Sequence, residues 1–168
     1  MCPEEFTSVF FPFHGRLYRI ACILLNNRED AEDILQETYC KLWNKRDELS
    51  QILQPEAFCI KLVKNLCFDK LRVQKRITTE DLSEAHLPLN HQITADQGMV
   101  NREKLEQIET WIRQLPEKQR QVIQLRGYGD CSLEEIEIIT GESAANVRVL
   151  LSRARKTLKE KFKEYIHE

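Results

Sequence analysis

Apolar residues recur along most of this chain with the spacing of an amphipathic α-helix, not with the alternation of a β-strand. In the first third of the chain the apolar positions from Phe6 to Leu24 follow a helical period. Pro12 is expected to kink or divide this first helix, because proline has no backbone N–H to donate. Asn26-Asn27 then predicts a turn.

Two further helices complete the N-terminal part. The apolar positions of the second helix are Ala31, Ile34, Leu35, Thr38, Leu42 and Trp43. A polar loop over residues 44–54 follows, and Pro55 suits the first turn of a third helix, where a missing N–H costs nothing. That helix is lined by Phe58, Leu62 and Leu66.

Residues 77–97 have no such period. They contain turn-forming residues, and residues 77–100 hold four acids and no Lys or Arg. The segment predicts a flexible acidic linker. We therefore expect an all-α protein of two small helical domains, residues 3–76 and 98–165, joined by this linker.

The last third of the chain predicts a helix-turn-helix. One apolar stripe runs from Leu105 to Leu115, and Leu115-Pro116 begins a further helix. A short helix with one apolar stripe starts at Leu133, and the glycine of Thr140-Gly141-Glu142 allows the turn that follows. Ser143 is placed to cap a long basic helix that reaches Phe162. The expected buried stripe of that helix consists of Val147, Leu150, Leu151, Ala154, Leu158 and Phe162.

Charge is distributed unevenly along the chain. The formal net charge is only -2, yet residues 61–76 hold six Lys/Arg against one acid, and residues 141–163 hold seven against two. Basic residues that bind phosphates supply the salt-sensitive part of DNA affinity. One basic run alone is more often an ordinary solvated helix face, but two such helices, one of them in a helix-turn-helix, favour a nucleic-acid binder.

Composition indicates a protein without chemistry of its own. The six cysteines show no spacing suited to zinc, and Cys22, Cys59 and Cys67 have apolar neighbours typical of core residues. The four histidines are scattered, and no P-loop or nucleophile-base set is evident, so we expect neither an enzyme nor a cofactor. No apolar run is long enough to cross a membrane, which favours a cytoplasmic location.

Three motifs in order resemble the sigma-70 family of bacterial RNA polymerase sigma factors, in its two-domain extracytoplasmic-function (ECF) group. The first lies within Arg28–Trp43, the second within Pro55–Arg72, and the third comprises Leu115–Val122, Leu133–Ile136 and Val147–Lys156. The resemblance covers nearly the whole chain and implies a sigma-2 and a sigma-4 domain. It implies a transcription initiation factor whose partners are core RNA polymerase (β′ clamp and β flap), promoter DNA and an anti-sigma factor.

The resemblance also implies a role for each motif. The first is similar to the helix that docks on the β′ clamp, and its polar face presents Asp33, Gln36 and Glu37, an acidic surface suited to a basic partner helix. The second is similar to the helix that opens and reads the −10 element. Its candidate phosphate contacts are Lys61, Lys64, Lys70, Arg72, Lys75 and Arg76, with Asn65 as a candidate base contact. Asp69 is expected to pair with a neighbouring arginine.

The third motif resembles the sigma-4 domain that reads the −35 element. Arg148 and Arg153 are the expected base or phosphate contacts, since arginine is the commonest reader of guanine. The other candidates on this helix are Ser143, Asn146, Ser152 and Lys156, of which Ser143 is primarily a cap. The main alternative is an independent two-domain regulator that binds DNA as a dimer, and a helical adaptor that never touches DNA is a third.

Overall fold

The computed structural model describes residues 1–77 and 99–167, and in these residues the chain is helical, with no strand. The expected 77–97 linker lies outside the described residues except for Ile77. The helices are α1 (Pro3–Phe10), a 3-10 turn (Phe11–Phe13), α2 (His14–Leu25), α3 (Arg28–Asn44), α4 (Pro55–Ile77), α5 (Met99–Arg113), α6 (Glu117–Gly127), α7 (Leu133–Thr140) and α8 (Ala144–His167). We call residues 1–77 the N-terminal unit and residues 99–167 the C-terminal unit.

Local sequence signals account for most helix ends in the N-terminal unit. Pro12 divides the first helical stretch, since a 3-10 turn separates α1 from α2. Asn26 ends α2 in the left-handed region, with φ 52°, and the side-chain oxygen of Asn27 accepts a bond from the backbone N–H of Asp30 to begin α3. Pro55 is the first residue of α4, as its ring favours.

The core of the N-terminal unit lies where α2 packs against α3 and α4. Leu17, Ile20, Leu42 and Val63 are buried there, and the buried Thr38 hydroxyl donates to the carbonyl oxygen of Ile34 at 2.7 Å. The expectation that Cys22, Cys59 and Cys67 are core residues is confirmed, since all three are buried.

The C-terminal unit contains the expected helix-turn-helix. Ser132 and Glu135 cap α7 reciprocally, Gly141 ends it with φ 75°, and the Ser143 hydroxyl oxygen accepts from the backbone N–H of Asn146 at 3.2 Å. Ser143 is thus the cap that the sequence predicted. Val147, Leu150, Leu151 and Ala154 of α8 are buried against α6 and α7.

Several boundary and burial predictions were wrong. Asn44 belongs to α3 and not to the following loop, and Leu158 of the expected buried stripe is only half-buried. Helix α8 continues to His167, and Ile77 belongs to α4. Phe162 is 39% exposed, because the end of α8 extends past the helices that cover its first turns. Helical period alone does not reveal where the neighbouring helices stop.

The two units pack against each other. Helix α2 contacts α6, α4 contacts α7, and the buried residues of both units form one continuous apolar cluster. The loop between α6 and α7 lies on α2, where Arg19 Nε donates to the carbonyl oxygen of Tyr128 at 3.0 Å. This arrangement was not predictable from the sequence pattern.

Candidate nucleic-acid and protein interfaces

The basic residues of α4 share one solvent-facing side of the helix. Successive helical residues are rotated by about 100°, so spacings of three, four, seven and eleven residues fall on one face. That face lies opposite the buried Val63 and Cys67. It presents Lys61, Lys64, Asn65, Arg72, Lys75 and Arg76, all exposed except the half-buried Lys64.

Two residues of α4 have roles that the sequence did not distinguish. Lys70 points to the other side, where its Nζ lies 3.1 Å from Asp30 Oδ1 and 3.7 Å from Asp33 Oδ2 of α3. The candidate phosphate contact Lys70 is therefore an ion-pair partner within the unit. Phe68, half-buried, lies on the basic face with Lys64 Nζ 5.8 Å from its ring centroid. Phe68 follows Lys61 by seven residues, and this spacing could have placed it on the basic face from the sequence alone.

Asp69 pairs with an arginine, as expected. Its carboxylate accepts from the Arg72 guanidinium, and both side chains are largely exposed. An exposed pair of this kind contributes little to stability.

The exposed face of α8 carries four of the six predicted contacts. Arg148, Ser152, Arg153 and Lys156 are exposed. Asn146 is half-buried, and its amide donates to the Glu142 carboxylate, which also accepts from Lys118 Nζ at 2.9 Å. The bonds from Lys118 and Asn146 lower the pKa of Glu142 below its ordinary value. Asn146 and Ser143 therefore organise the start of α8.

A basic cavity adjoins this face and includes two arginines, Arg126 and Arg155, that were not among the predicted contacts. It measures about 350 Å³ and is lined by Arg126, Leu133, Arg148, Leu151, Ser152 and Arg155. Arg155 follows Arg148 by seven residues, a spacing that could have revealed it. Arg126 belongs to α6, and only the packing of α6 on α8 brings it here.

The residues of the predicted acidic face lie together on one exposed side of α3. Asp33, Gln36 and Glu37 are exposed on it, with Lys41 Nζ 3.7 Å from Glu37 Oε1. A cavity of about 470 Å³ adjoins Gln36 and is lined by His14, Tyr18, Glu32, Leu35, Gln36 and Tyr39. Burial raises the pKa of Tyr39, which lines this cavity, to about 12.

Within residues 1–77 and 99–167, no three His, Cys, Asp or Glu side chains are grouped so as to hold a metal ion. No helix in these ranges is long and apolar enough to cross a membrane.

Comparisons with known proteins identify the family of both units. The family model described as "Sigma-70 region 2" matches residues 12–77, and the model "Sigma-70, region 4" matches residues 105–158. The chain belongs to the sigma-70 family. It is a transcription initiation sigma factor and not an enzyme.

Relatives named as sigma factors match this sigma factor over most of its length. It is 25% identical to the ECF RNA polymerase sigma factor SigW of Bacillus subtilis, over 96% of this chain and 90% of the relative. It is 28% identical to the RNA polymerase sigma factor SigV of the same organism, over 84% of this chain and 81% of the relative. These matches confirm the ECF resemblance.

Solved structures support the fold. The sigma factor RpoE of Bartonella quintana, in complex with the anti-sigma factor NepR, superposes with a TM-score of 0.71 at 22% identity, over 95% of this chain and 98% of that one. CnrH, in complex with the cytosolic domain of CnrY, gives a TM-score of 0.58 at 18% identity, over 97% and 90% of the two chains. The predicted all-α, two-domain architecture is confirmed.

All the predicted site residues lie inside the two matched regions. Those of α3 and α4 fall within the region 2 match, and those of α8 fall within the region 4 match. The independent regulator is not favoured, because the N-terminal unit matches region 2 of this sigma factor family and not a sensing domain.

Proposed function

We propose that this sigma factor uses three separate faces to bring core RNA polymerase to promoters: α3 for polymerase, α4 for the −10 element and α8 for the −35 element. The observation that carries the proposal is the sorting of charge. The acidic residues of α3 share one exposed face, and the basic residues of α4 and of α8 each share another. Because each face has one predominant sign, each favours one kind of partner.

The α3 face is suited to a basic helix of the β′ clamp. Asp33, Gln36 and Glu37 offer carboxylate and amide oxygens to basic side chains, and complementary charge speeds docking and fixes its register. Lys70 neutralises part of the Asp33 charge, since its ammonium lies 3.7 Å from that carboxylate. Gln36 and Glu37 are therefore the principal contacts, and the neighbouring cavity at Tyr39 is open to an apolar side chain of the partner.

The α4 face is suited to DNA whose strands are being separated. Lys61, Arg72, Lys75 and Arg76 anchor phosphates along the helix, and Asn65 hydrogen-bonds an exposed base edge. Stacking on an aromatic ring stabilises an unstacked base by about 1–3 kcal/mol. On the α4 face, the half-buried Phe68 provides this ring. The 44–54 loop at the start of α4 surrounds the extruded base.

The α8 face is suited to the major groove of the −35 element. Arg148 and Arg153 reach base edges or phosphates, and Ser152 and Lys156 contact the backbone. Arg126 and Arg155 line the adjoining basic cavity and add phosphate contacts on one side of the groove. Such contacts position the helix without reading sequence.

The domain assignment follows from these roles. Residues 3–76 dock on polymerase and act at the −10 element, and residues 98–165 act at the −35 element and contact the β flap. The sigma factor works in the cytoplasm, where the polymerase is. An anti-sigma factor controls it; the similar sigma factor RpoE of Bartonella quintana is bound to the anti-sigma factor NepR in its solved structure.

In vitro transcription tests the proposal. Core RNA polymerase from the source bacterium is incubated with a random promoter library, with and without the sigma factor, and transcript starts are sequenced. New starts that share two spaced upstream elements are the expected result. An active core enzyme that binds the folded protein but yields no new starts would contradict it.

Two sets of variants separate the faces. Gln36→Ala with Glu37→Ala should abolish binding to core polymerase, measured by fluorescence anisotropy, while Glu103→Ala on α5 serves as the matched acidic control. Arg148→Ala with Arg153→Ala should leave polymerase binding intact and remove the −35 preference among the sequenced starts. Lys163→Ala, exposed near the end of the same helix, is the control for α8.

A further inference from the structure

The turn between α7 and α8 places a carboxylate at the start of α8. The Glu142 side chain is 21% exposed, and its Oε1 lies 2.9 Å from Nζ of Lys118 in the first turn of α6. Its Oε2 accepts a hydrogen bond from the side-chain amide of Asn146 in α8. The backbone N–H of Glu142 donates to Thr140 Oγ1 at 3.3 Å, at the end of α7. Glu142 therefore bonds to α6, α7 and α8.

The carboxylate of Glu142 lies among groups that stabilise its charge. The bonds from Lys118 and Asn146 lower its pKa. The first N–H groups of α8 form the positive end of the helix dipole, which favours a negative side chain nearby. An ionised carboxylate has only acceptor atoms. The group that faces Glu142 Oε2 must therefore be a hydrogen-bond donor.

This requirement fixes the direction in which the Asn146 amide points. A side-chain amide carries an oxygen acceptor on one branch and a nitrogen donor on the other. The Glu142 carboxylate would repel the amide oxygen, so the nitrogen lies on this side and donates. The backbone of Asn146 is held as well, because its N–H donates to Ser143 Oγ at 3.2 Å. Asn146 is thus oriented at both its backbone and its side chain.

The atoms that remain on the Asn146 amide match adenine. The bond to Glu142 uses one of the two N–H donors and leaves the other N–H and the oxygen. In the major groove adenine presents an acceptor, N7, beside a donor, N6, and asparagine binds this pair with both branches of its amide. Guanine presents two acceptors, N7 and O6, one of which the amide oxygen would repel. An asparagine held in this orientation favours adenine over guanine.

Asn146 lies where α8 can reach a base edge. It is in the first turn of α8, and the N-terminal residues of the second helix in a helix-turn-helix contact base edges. Val149, 42% exposed, and the exposed Arg153 follow Asn146 by three and seven residues on the same side of α8. The half-buried Asn146 begins this exposed side of the helix.

We propose that Glu142 is a positioning residue for promoter recognition, which fixes the Asn146 amide so that Asn146 reads one adenine of the −35 element. Lys118 completes the arrangement by holding the Glu142 carboxylate from the other side. The inference rests on the proposed function, since it requires that α8 enters the major groove of the −35 element. It deepens that function by naming the base that Asn146 reads and the residue that sets this choice.

The isosteric substitution Glu142→Gln tests the inference, because it changes the donors and keeps the shape. Lys118 holds the oxygen of the new amide, so the new N–H groups face Asn146. The Asn146 amide must then turn its oxygen towards them, which leaves both of its N–H donors for DNA. Two donors match the two acceptors of guanine.

The promoter library transcribed with core polymerase measures the base preference. Wild-type protein should favour adenine at one −35 position by about 5- to 150-fold, the discrimination that one bidentate contact supplies. Glu142→Gln should shift that position towards guanine and leave the preferences at the other positions unchanged. A contact that only stabilised the turn would be satisfied by glutamine and would leave every preference as in the wild type.

Three further variants serve as controls. Asn146→Ala should abolish the preference at the same position, and adding Glu142→Gln to it should change nothing more there. Adding Lys118→Ala to Glu142→Gln allows the new amide to present its oxygen to Asn146, and should restore part of the adenine preference. Glu160→Gln, exposed farther along α8, removes the same charge and should leave all base preferences unchanged. Circular dichroism and polymerase binding equal to wild type show that each variant is folded.

The outcomes distinguish this inference from the proposed function. Wild-type base preferences in Glu142→Gln would overturn the role of Glu142. A −35 element that Arg148→Ala with Arg153→Ala removes, but in which no position responds to Asn146→Ala, would also overturn the inference and leave the proposed function intact. Transcript starts that share no −35 element would contradict the proposed function, and the inference with it.

Discussion

At the scale of single residues, burial decides which thiols can react. Cys2 and Cys40 are exposed, while Cys22, Cys59, Cys67 and Cys131 are buried. Burial raises the pKa values of Cys59 and Cys67 to about 12 and that of Cys131 to about 11. The thiolate is the reactive form, so the fold protects these three both by exclusion and by protonation.

Alkylation should therefore be selective. Brief treatment of the native protein with iodoacetamide at pH 8 is expected to add two groups, at Cys2 and Cys40, and treatment in denaturant should add six. Mass spectrometry of the intact protein counts the adducts, and Cys40→Ser should reduce the native count to one. Rapid modification of Cys59 or Cys67 would mean that α2 and α4 separate readily.

At the scale of the elements, backbone conformation at helix ends sets the shape of the helix-turn-helix. Gly141 ends α7 in the left-handed region with φ 75°, while Gly127 ends α6 outside that region. A Cβ added at either position would meet nothing within 4 Å. Both sites therefore have space for a side chain, but only at Gly141 would a residue with a side chain have a strained backbone.

Alanine substitutions at these positions should have opposite effects. Gly141→Ala is expected to lower the free energy of unfolding by about 1–2 kcal/mol, the cost of a left-handed L-residue. Gly127→Ala should leave it unchanged or raise it by about 0.5 kcal/mol, because alanine loses less entropy than glycine on entering a helix. Urea unfolding followed by circular dichroism measures both. If both variants lost the same free energy of unfolding, backbone strain at position 141 would not be the cause of the loss.

At the scale of the whole molecule, two buried thiols and two half-buried phenols link stability to pH. Burial raises the pKa values of Tyr18 and Tyr39 to about 12 from 10.0, and those of Cys59 and Cys67 to about 12 from 9.0. Above pH 9 the unfolded chain releases these protons while the folded chain retains them. Alkaline conditions therefore favour the unfolded state.

Stability should be constant up to about pH 9 and fall steadily from there towards pH 12. The urea midpoint at pH 8, 9.5 and 10.5 measures this, and Cys59→Ala with Cys67→Ala should reduce the slope. A midpoint that stays constant from pH 8 to 10.5 would show that these groups ionise without unfolding the protein.

Much of the local structure could be read from the sequence. The split at Pro12, the Asn26-Asn27 turn, the start of α4 at Pro55 and the Ser143 cap were all predicted, because each depends on residues within a few positions. The grouping of basic residues on α4 and α8 was predictable for the same reason, since a helix places residues three, four and seven apart on one face.

Contacts between distant segments needed the tertiary structure. The exposure of Phe162, the pairing of Lys70 with Asp30 and the approach of Arg126 to Arg155 each depend on how helices pack. The contact between Arg16 of α2 and Glu135 of α7 joins residues more than 100 positions apart. By itself, then, the sequence determined the helices, their charged faces and the family to which the chain belongs, because these arise from local periodicity and short motifs. Which charges are already paired, and how the two units close on each other, was decided only by the tertiary structure, because packing alone brings distant side chains within bonding distance.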